Sequence, residues 1–187
     1  VWAMLGIAVA VGIVVGLLIS IFLVAPLQVG CYRWYILNRT SNPPMGELLN
    51  SFRNGYFNTA KIMFCMGLYT TLWSLLFIIP GIIKAYEYSM IPYLLAENPN
   101  MSKKEAFAIS KELMDGNKFN AFVLDLSFIL WNFVGALALG LPGVFFVNPY
   151  VQLTNVELYV KLCQIRAERH NSTYNQDNNQ NFNQNDF

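Results

Sequence analysis

Three stretches of the chain carry no charged residue: Val1 to Tyr32, Ile62 to Ile83 and Leu126 to Val156. About 20 apolar residues are enough for a helix to cross the hydrocarbon of a bilayer, so each stretch accommodates at least one span. The first opens on Val rather than Met and lacks a basic leader and a cleavage motif, so it reads as a span entered partway and not as a signal peptide. The third, 31 residues long, is interrupted by Gly140-Leu141-Pro142-Gly143, chemistry that stops one helix and starts another. The second ends at Pro80-Gly81, after which Ile82 to Glu97 is again mostly apolar but carries Lys84 and Glu87. A helix over that segment rises only about 24 Å, short for a span but adequate for one shielded by neighbours. The pattern predicts an all-α fold: a polytopic transmembrane helical bundle with Pro-Gly helical hairpins, its spans at about 1–25, 57–80, 82–97, 119–139 and 143–163.

Between the apolar runs, two stretches have helical amphipathicity and read as cytoplasmic surface helices, about 45–54 and 103–115. The first sets Leu48, Leu49 and Phe52 against Glu47 and Arg53; the second sets Ala106, Ile109 and Leu113 against Lys104, Lys111 and Asp115. Ser102 and Glu105 have capping-box spacing, and Gly116 suits a left-handed stop. The second helix is expected on the membrane surface, where plugging the bundle is the blander alternative to docking a partner. On the first apolar run, Ala8, Gly12, Gly16 and Ser20 recur every four positions, a seam for close approach of another helix. An internal neighbour is the favoured occupant.

Composition agrees with a lipid solvent. The chain is 55% hydrophobic and only 12% charged, against roughly 25% charged in soluble domains, and mean hydropathy is +0.38 despite a polar tail. A net charge of +1 excludes a nucleic-acid partner, which needs a concentrated basic surface. Charge placement also decides topology. If 82–97 crosses, the 33–61 connector, the 98–118 loop and the tail share one side with 11 of the 12 basic residues; if it does not, the split is four against eight. Positive residues collect on the cytoplasmic side, so the crossing topology is preferred and the C-terminal tail is cytoplasmic. Leu72-Trp73, Pro80-Gly81 and Pro92-Tyr93 recur as Leu130-Trp131, Pro142-Gly143 and Pro149-Tyr150. A repeated hairpin and a chance likeness of apolar hairpins explain this echo equally well.

The run Leu72 to Tyr86, with Pro80-Gly81 inside it, then Pro92-Tyr93, Leu95-Ala96-Glu97-Asn98-Pro99, Lys104-Glu105-Ala106, Ser110 to Met114, Gly116, Phe122 to Phe128, Trp131, Pro149-Tyr150 and Tyr159 resembles the DUF975 family of bacterial integral membrane proteins. The resemblance covers about residues 50 to 160 and implies a multi-pass protein of the bacterial cytoplasmic membrane, without an assigned activity. The Pro-Gly hairpin and the Glu-Ala-x-x-x-Ser helix are also similar to the membrane domain of glycerophosphodiester phosphodiesterases, a hint of lipid-related work that is fold analogy only.

Polar residues at bilayer depth are costly and default to functional candidates. Asp125 leads: on a helix it shares a stripe with Ala121, Phe128, Asn132 and Gly135, and Lys118 lies two turns before it. A structural ion pair or helix-terminal acceptor is weighed above a proton or substrate site. Asn148, Gln152, Asn155 and Tyr159 form a second stripe that lipid would reject; helix packing and a cavity lining fit it equally. Glu157 has Lys161 one turn on and reads as a local pair, as do Lys84 and Glu87. Catalytic chemistry is thin: one histidine, His170, three cysteines without metal-ligand spacing, and no phosphate loop or nucleophile elbow. No cofactor, metal or catalytic residue is expected.

The expected organisation is a single transmembrane domain over 1–169 and a disordered Asn/Gln-rich tail over 170–187. The expected function is a non-enzymatic module binding a membrane lipid, a peptide or a partner membrane protein. The alternative is a small transporter or channel with a polar cavity between two hairpins. Homo-oligomerisation is left open.

Overall fold

The computed structural model describes residues 2–137 and 148–184, and among these every regular element is helical. The first apolar run is one long helix in three pieces: α1 (Trp2–Ile19), a π-helical turn (Ser20–Val24) and α2 (Ala25–Asn38). Pro26 explains the irregular middle. It has no N–H for the carbonyl of Phe22 four residues back, and the Tyr56 hydroxyl donates to that carbonyl at 2.8 Å. The expected span at 1–25 thus continues without a break to Asn38. Among the described residues, one helix, Met4–Asn38, is long and apolar enough to cross a membrane, and none of its most apolar window is buried.

The segment read as a surface helix over 45–54 is a 3-10 turn (Met45–Leu49) running into the four-residue α3 (Asn50–Arg53), both packed on α2. Arg33 fastens it: its Nε donates to Glu47 Oε2 at 2.7 Å and its Nη1 to the Ala96 carbonyl at 3.0 Å.

Next come α4 (Tyr56–Leu76), α5 (Ile78–Tyr88) and α6 (Ile91–Glu97). The chain reverses at Phe77, whose backbone is extended, and not at Pro80-Gly81. Pro80 is the third residue of α5, where N–H groups have no intrahelical acceptor, so a proline costs nothing there. Gly81 is needed for closure: a Cβ there would stand 2.5 Å from Ser74 Cα. The predicted single helix over 82–97 is broken at Ser89-Met90, because Pro92 cannot donate to Tyr88. At its other end the hairpin closes on itself, with Asn58 Nδ2 donating to the carbonyls of Pro99 and Met101, both at 2.8 Å. Gly55, before α4, has φ +66°, and a Cβ on it would meet the Pro99 carbonyl at 2.6 Å.

The helix α7 (Lys103–Met114) is capped by Ser102, whose Oγ accepts from the Glu105 amide at 3.2 Å, and it ends before Gly116, at φ +76°. Its apolar face is not left for a membrane surface. Ala106, Ser110, Leu113 and Met114 are buried against α5, α6 and the last helix, so the expected surface helix is a bundle cap. Then follow α8 (Lys118–Leu137) and α9 (Asn148–Gln184). The predicted turn at Gly140-Leu141-Pro142-Gly143 lies outside the described residues, and so does part of the repeat's second copy. The tail expected to be disordered continues α9 to Gln184. Extending an existing helix avoids the cost of nucleation, and His170 ties this extension to α7 through Glu112, at 2.8 Å.

Burial is uneven. Val29, Ile62, Ile91, Leu95, Met114, Val156 and Tyr159 are all under 2% exposed and form a core at the connector end. At the far end the apolar surface is bare: Leu75 is 85% exposed and Ile78 75%. The seam of Ala8, Gly12, Gly16 and Ser20 is exposed as well, and a Cβ on Gly12 or Gly16 would meet nothing within 4 Å. Among the described residues the internal neighbour expected for it comes alongside only at Ser20, which borders a groove against α4, because α1 runs ahead of the bundle that α2 joins.

Candidate functional site

Adjacent residues of α5 make two cross-links to α8. The Tyr86 hydroxyl donates to Asp125 Oδ2 at 2.8 Å, and Glu87 Oε1 accepts from Lys118 Nζ at 3.1 Å. Lys118, Ala121 and Asp125 stand on one face of α8, and Ala121, 5% exposed, is small enough to let the helices approach.

Glu87 is enclosed. It is 3% exposed, its carboxylate is bonded to both Lys84 and Lys118, and its own carbonyl accepts from the buried Ser110 Oγ at 2.8 Å. The lysine expected to neutralise Asp125 is therefore committed elsewhere. The reason is reach: Lys118 projects over the turn before it, toward α5, whereas Asp125 lies two turns further along. Asp125 accepts from the Tyr86 phenol, and among the described residues no Lys, Arg or His forms an ion pair with it.

Asp125 borders a cavity of about 190 Å³ between α2, α5–α6, α8 and α9. Its polar and aromatic lining comes from Tyr32, Tyr86, Ser89, Tyr93, Asp125 and Asn155, with Met90, Ala121 and Leu158 as its apolar remainder. The rings of Tyr32 and Tyr93 have centroids 4.3 Å apart, and Tyr93 stacks at 5.4 Å on Tyr159 behind it. The Ser89 hydroxyl donates to the Tyr86 carbonyl at 2.7 Å, and Tyr32 Oη accepts from Gln28 Nε2 at 2.9 Å. Three grooves are larger: two of about 460 and 450 Å³ between the first helix and α4, with no carboxylate among their described lining residues, and one of about 390 Å³ beside α8 and α9, whose carboxylate, Glu157, is already held by Arg39. Volume alone does not make them the site.

Of the residues singled out from sequence, the cavity brings together Asp125 and Asn155. Gln152 lies one turn from Asn155, its Oε1 buried without a partner among the described residues. Asn132 is on α8 and Asn148 opens α9, and their side chains fall outside the described residues. Tyr159 is 1% exposed and donates to Glu97 Oε2 at 2.7 Å. Glu157 does not pair with Lys161; Arg39 takes it in two bonds, at 2.5 and 3.0 Å. Sequence reasoning passes over Tyr32, Tyr86, Ser89 and Tyr93. The available signal is tyrosine density, with Tyr86, Tyr88 and Tyr93 in eight residues of a segment otherwise judged by its charges. Among the described residues no three His, Cys, Asp or Glu side chains gather as metal ligands.

A family model described as a protein of unknown function (DUF975) matches residues 2–166. No curated protein and no solved structure matches the chain.

Proposed function

This chain belongs to the DUF975 family, and from that premise we propose that it is a multi-pass membrane protein of the bacterial cytoplasmic membrane that binds a small polar group in the cavity beside Asp125 without transforming it. One observation carries the reading: a carboxylate inside the bundle whose partner is a phenol, facing a space walled by five helices. An ionised group left without a counter-charge in a helical bundle is costly, and a bound ligand offsets that cost. The remaining lining suits holding more than reacting. Asn155 offers an amide, the tyrosines offer aromatic surface, and the Ser89 hydroxyl is already donated to backbone.

Support for a multi-pass arrangement comes from the bare apolar far end and from the grouping of the connectors. Soluble proteins rarely expose such continuous apolar surface. The start of α4 touches Pro99 and Met101, and α9 reaches α7 through Arg166 and Glu112 at 2.9 Å, so three basic segments gather near one end of the bundle. The positive-inside preference makes that end cytoplasmic.

The test uses single cysteines in a chain whose Cys31, Cys65 and Cys163 are replaced by Ser. Ser102→Cys is expected to react only from the cytoplasmic side of oriented vesicles, and Ser89→Cys with small water-borne thiol reagents. Labelling of Ser102→Cys from outside overturns the topology, and an unreactive Ser89→Cys overturns the cavity as a binding site.

A small transporter or channel is the second reading. It draws on the buried, unpartnered Gln152 Oε1, which extends the polar face from Asn155 toward Asn148 at the far end. It expects Asp125→Asn to abolish solute flux into liposomes without loss of folded protein.

A further inference from the structure

We propose that the Asp125 cavity selects an ammonium ion, either a free amine or quaternary ammonium solute or the ammonium end of a lipid headgroup. The inference rests on the cavity being a binding site and names the class of group it takes.

Charge is the first argument. Four carboxylates each engage a lysine or arginine: Glu47 with Arg33, Glu87 with Lys84 and Lys118, Glu112 with Arg166, and Glu157 with Arg39; Glu97, bonded to the Tyr159 hydroxyl, is exposed and does not border the cavity. Asp125 has the Tyr86 hydroxyl on Oδ2, and among the described residues nothing is bonded to Oδ1. Among the described residues no Lys, Arg or His lines the cavity, so an anionic ligand would meet the Asp125 carboxylate with no cation to offset it.

The walls are the second argument. Tyr32, Tyr86 and Tyr93 border the same small space as the carboxylate. Aromatic faces attract cations through the ring quadrupole, and clusters of such rings are how proteins recognise quaternary ammonium groups. The tyrosines are held in position: Tyr93 between Tyr32 and Tyr159, Tyr86 by Asp125, and Tyr32 by Gln28. Met90, Ala121 and Leu158 supply apolar contacts suited to N-methyl or methylene groups. A hard divalent ion would instead want several charged oxygen ligands, and among the described residues the lining carries one carboxylate.

Size is the third. Sites for drug-sized ligands run to roughly 300–1,000 Å³, so about 190 Å³ admits a small ammonium group and not a whole lipid.

The experiment titrates the full chain, in nanodiscs of phosphatidylglycerol, with choline and with its uncharged isostere, in which carbon replaces the quaternary nitrogen; binding is read by calorimetry. Saturable binding of choline and none of the isostere is expected, with Asp125→Asn weakening choline by about tenfold or more. Tyr32→Phe keeps the ring and is expected to hold affinity within about twofold, whereas Tyr32→Leu loses about tenfold. Repeating the titration in discs containing phosphatidylethanolamine separates the sources. Choline excluded there means that the lipid headgroup is the resident ligand, and choline unaffected means a free solute; both outcomes support the assignment. Equal binding of the isostere, equal displacement by sodium or potassium, or full affinity in both Asp125→Asn and Tyr32→Leu overturns it. Absence of choline binding while Ser89→Cys remains reactive refutes the ammonium assignment and leaves the binding site standing. An unreactive Ser89→Cys removes both.

Discussion

Glu87 on α5 and Asp125 on α8 each take part in a cross-link between the two helices and receive opposite treatment. Glu87 is sealed from solvent and bonded to two lysines. Asp125 is partly exposed to a cavity and bonded to one phenol. Both are acids on apolar helices, and spacing along a single helix does not separate them. What separates them is which helix brings its cations alongside. A carboxylate within an apolar bundle is structural when the fold supplies its counter-charge, and keeps an open acceptor position when the fold withholds it.

The largest effect is expected from Glu87→Gln. Removing one partner of a buried pair leaves the other charges uncompensated, here two lysines, each about three-tenths exposed or less. The expected cost is about 3 kcal/mol, which in a chain of this size lowers Tm by about 6–12 °C. Asp125→Asn keeps an acceptor for Tyr86 and removes a charge that no cation balances, so its stability is expected to stay within about 1 kcal/mol of the parent. Thermal unfolding in the same detergent compares the two. Equal losses would erase the distinction between a structural acid and an available one.

Tyr86→Phe sharpens the contrast from the other side. It deletes the only hydrogen bond Asp125 receives among the described residues and keeps the ring. Loss of a bond to a charged group in a part-buried place is expected to cost about 1 kcal/mol, seen as a fall of about 2–4 °C in Tm. Choline affinity is not expected to fall, because the carboxylate loses a competitor for its lone pair. A fall in affinity in step with stability would mean that the phenol and the carboxylate act as one packing unit.

Much of the architecture is legible in the chain because it depends on local rules. The Ser102 cap, the apolar helix over the first run and the family likeness, which holds over residues 2–166, all follow from short-range pattern. So does the presence of Asp125 and Asn155 in or beside the uncharged run Leu126 to Val156. What spacing does not reveal is partnership across elements. Local i, i+4 logic assigns Glu157 to Lys161, yet Arg39, 118 residues away, holds it; Lys118 is nearer in sequence to Asp125 but bonds to Glu87. The corner at Phe77 is hidden for a related reason. Pro80-Gly81 has the chemistry of a turn and equally that of a helix's first turn, and only the close approach of Ser74 to Gly81 decides between them. The tyrosine walls are missed because three helical segments supply one ring each, and no single stripe contains them.

Glu112 isolates the role of burial in this comparison, since it too is held by two basic side chains, a guanidinium and an imidazole. Arg166 and His170, both from α9, reach it at 2.9 and 2.8 Å, but its side chain is 33% exposed. Burial alone would push its carboxyl up; the hydrogen bonds from His170 and Arg166 outweigh that and hold it below the usual carboxylate range. A carboxyl lowered in the folded state contributes stability above its unfolded pKa and loses it as pH falls through the lowered value. The clamp between α7 and α9 is therefore expected to be intact at neutral pH and to fade in acid, below the range where a free glutamate titrates. Partial exposure and screening limit it to about 0.5 kcal/mol, so Glu112→Gln is expected to lower Tm by only about 1–2 °C at pH near 7. The difference from the parent should vanish in strong acid, where both side chains are neutral. A loss at neutral pH as large as that of Glu87→Gln would mean that the number of bonded partners, and not their removal from water, sets the cost, and would withdraw the physical basis for separating Glu87 from Asp125.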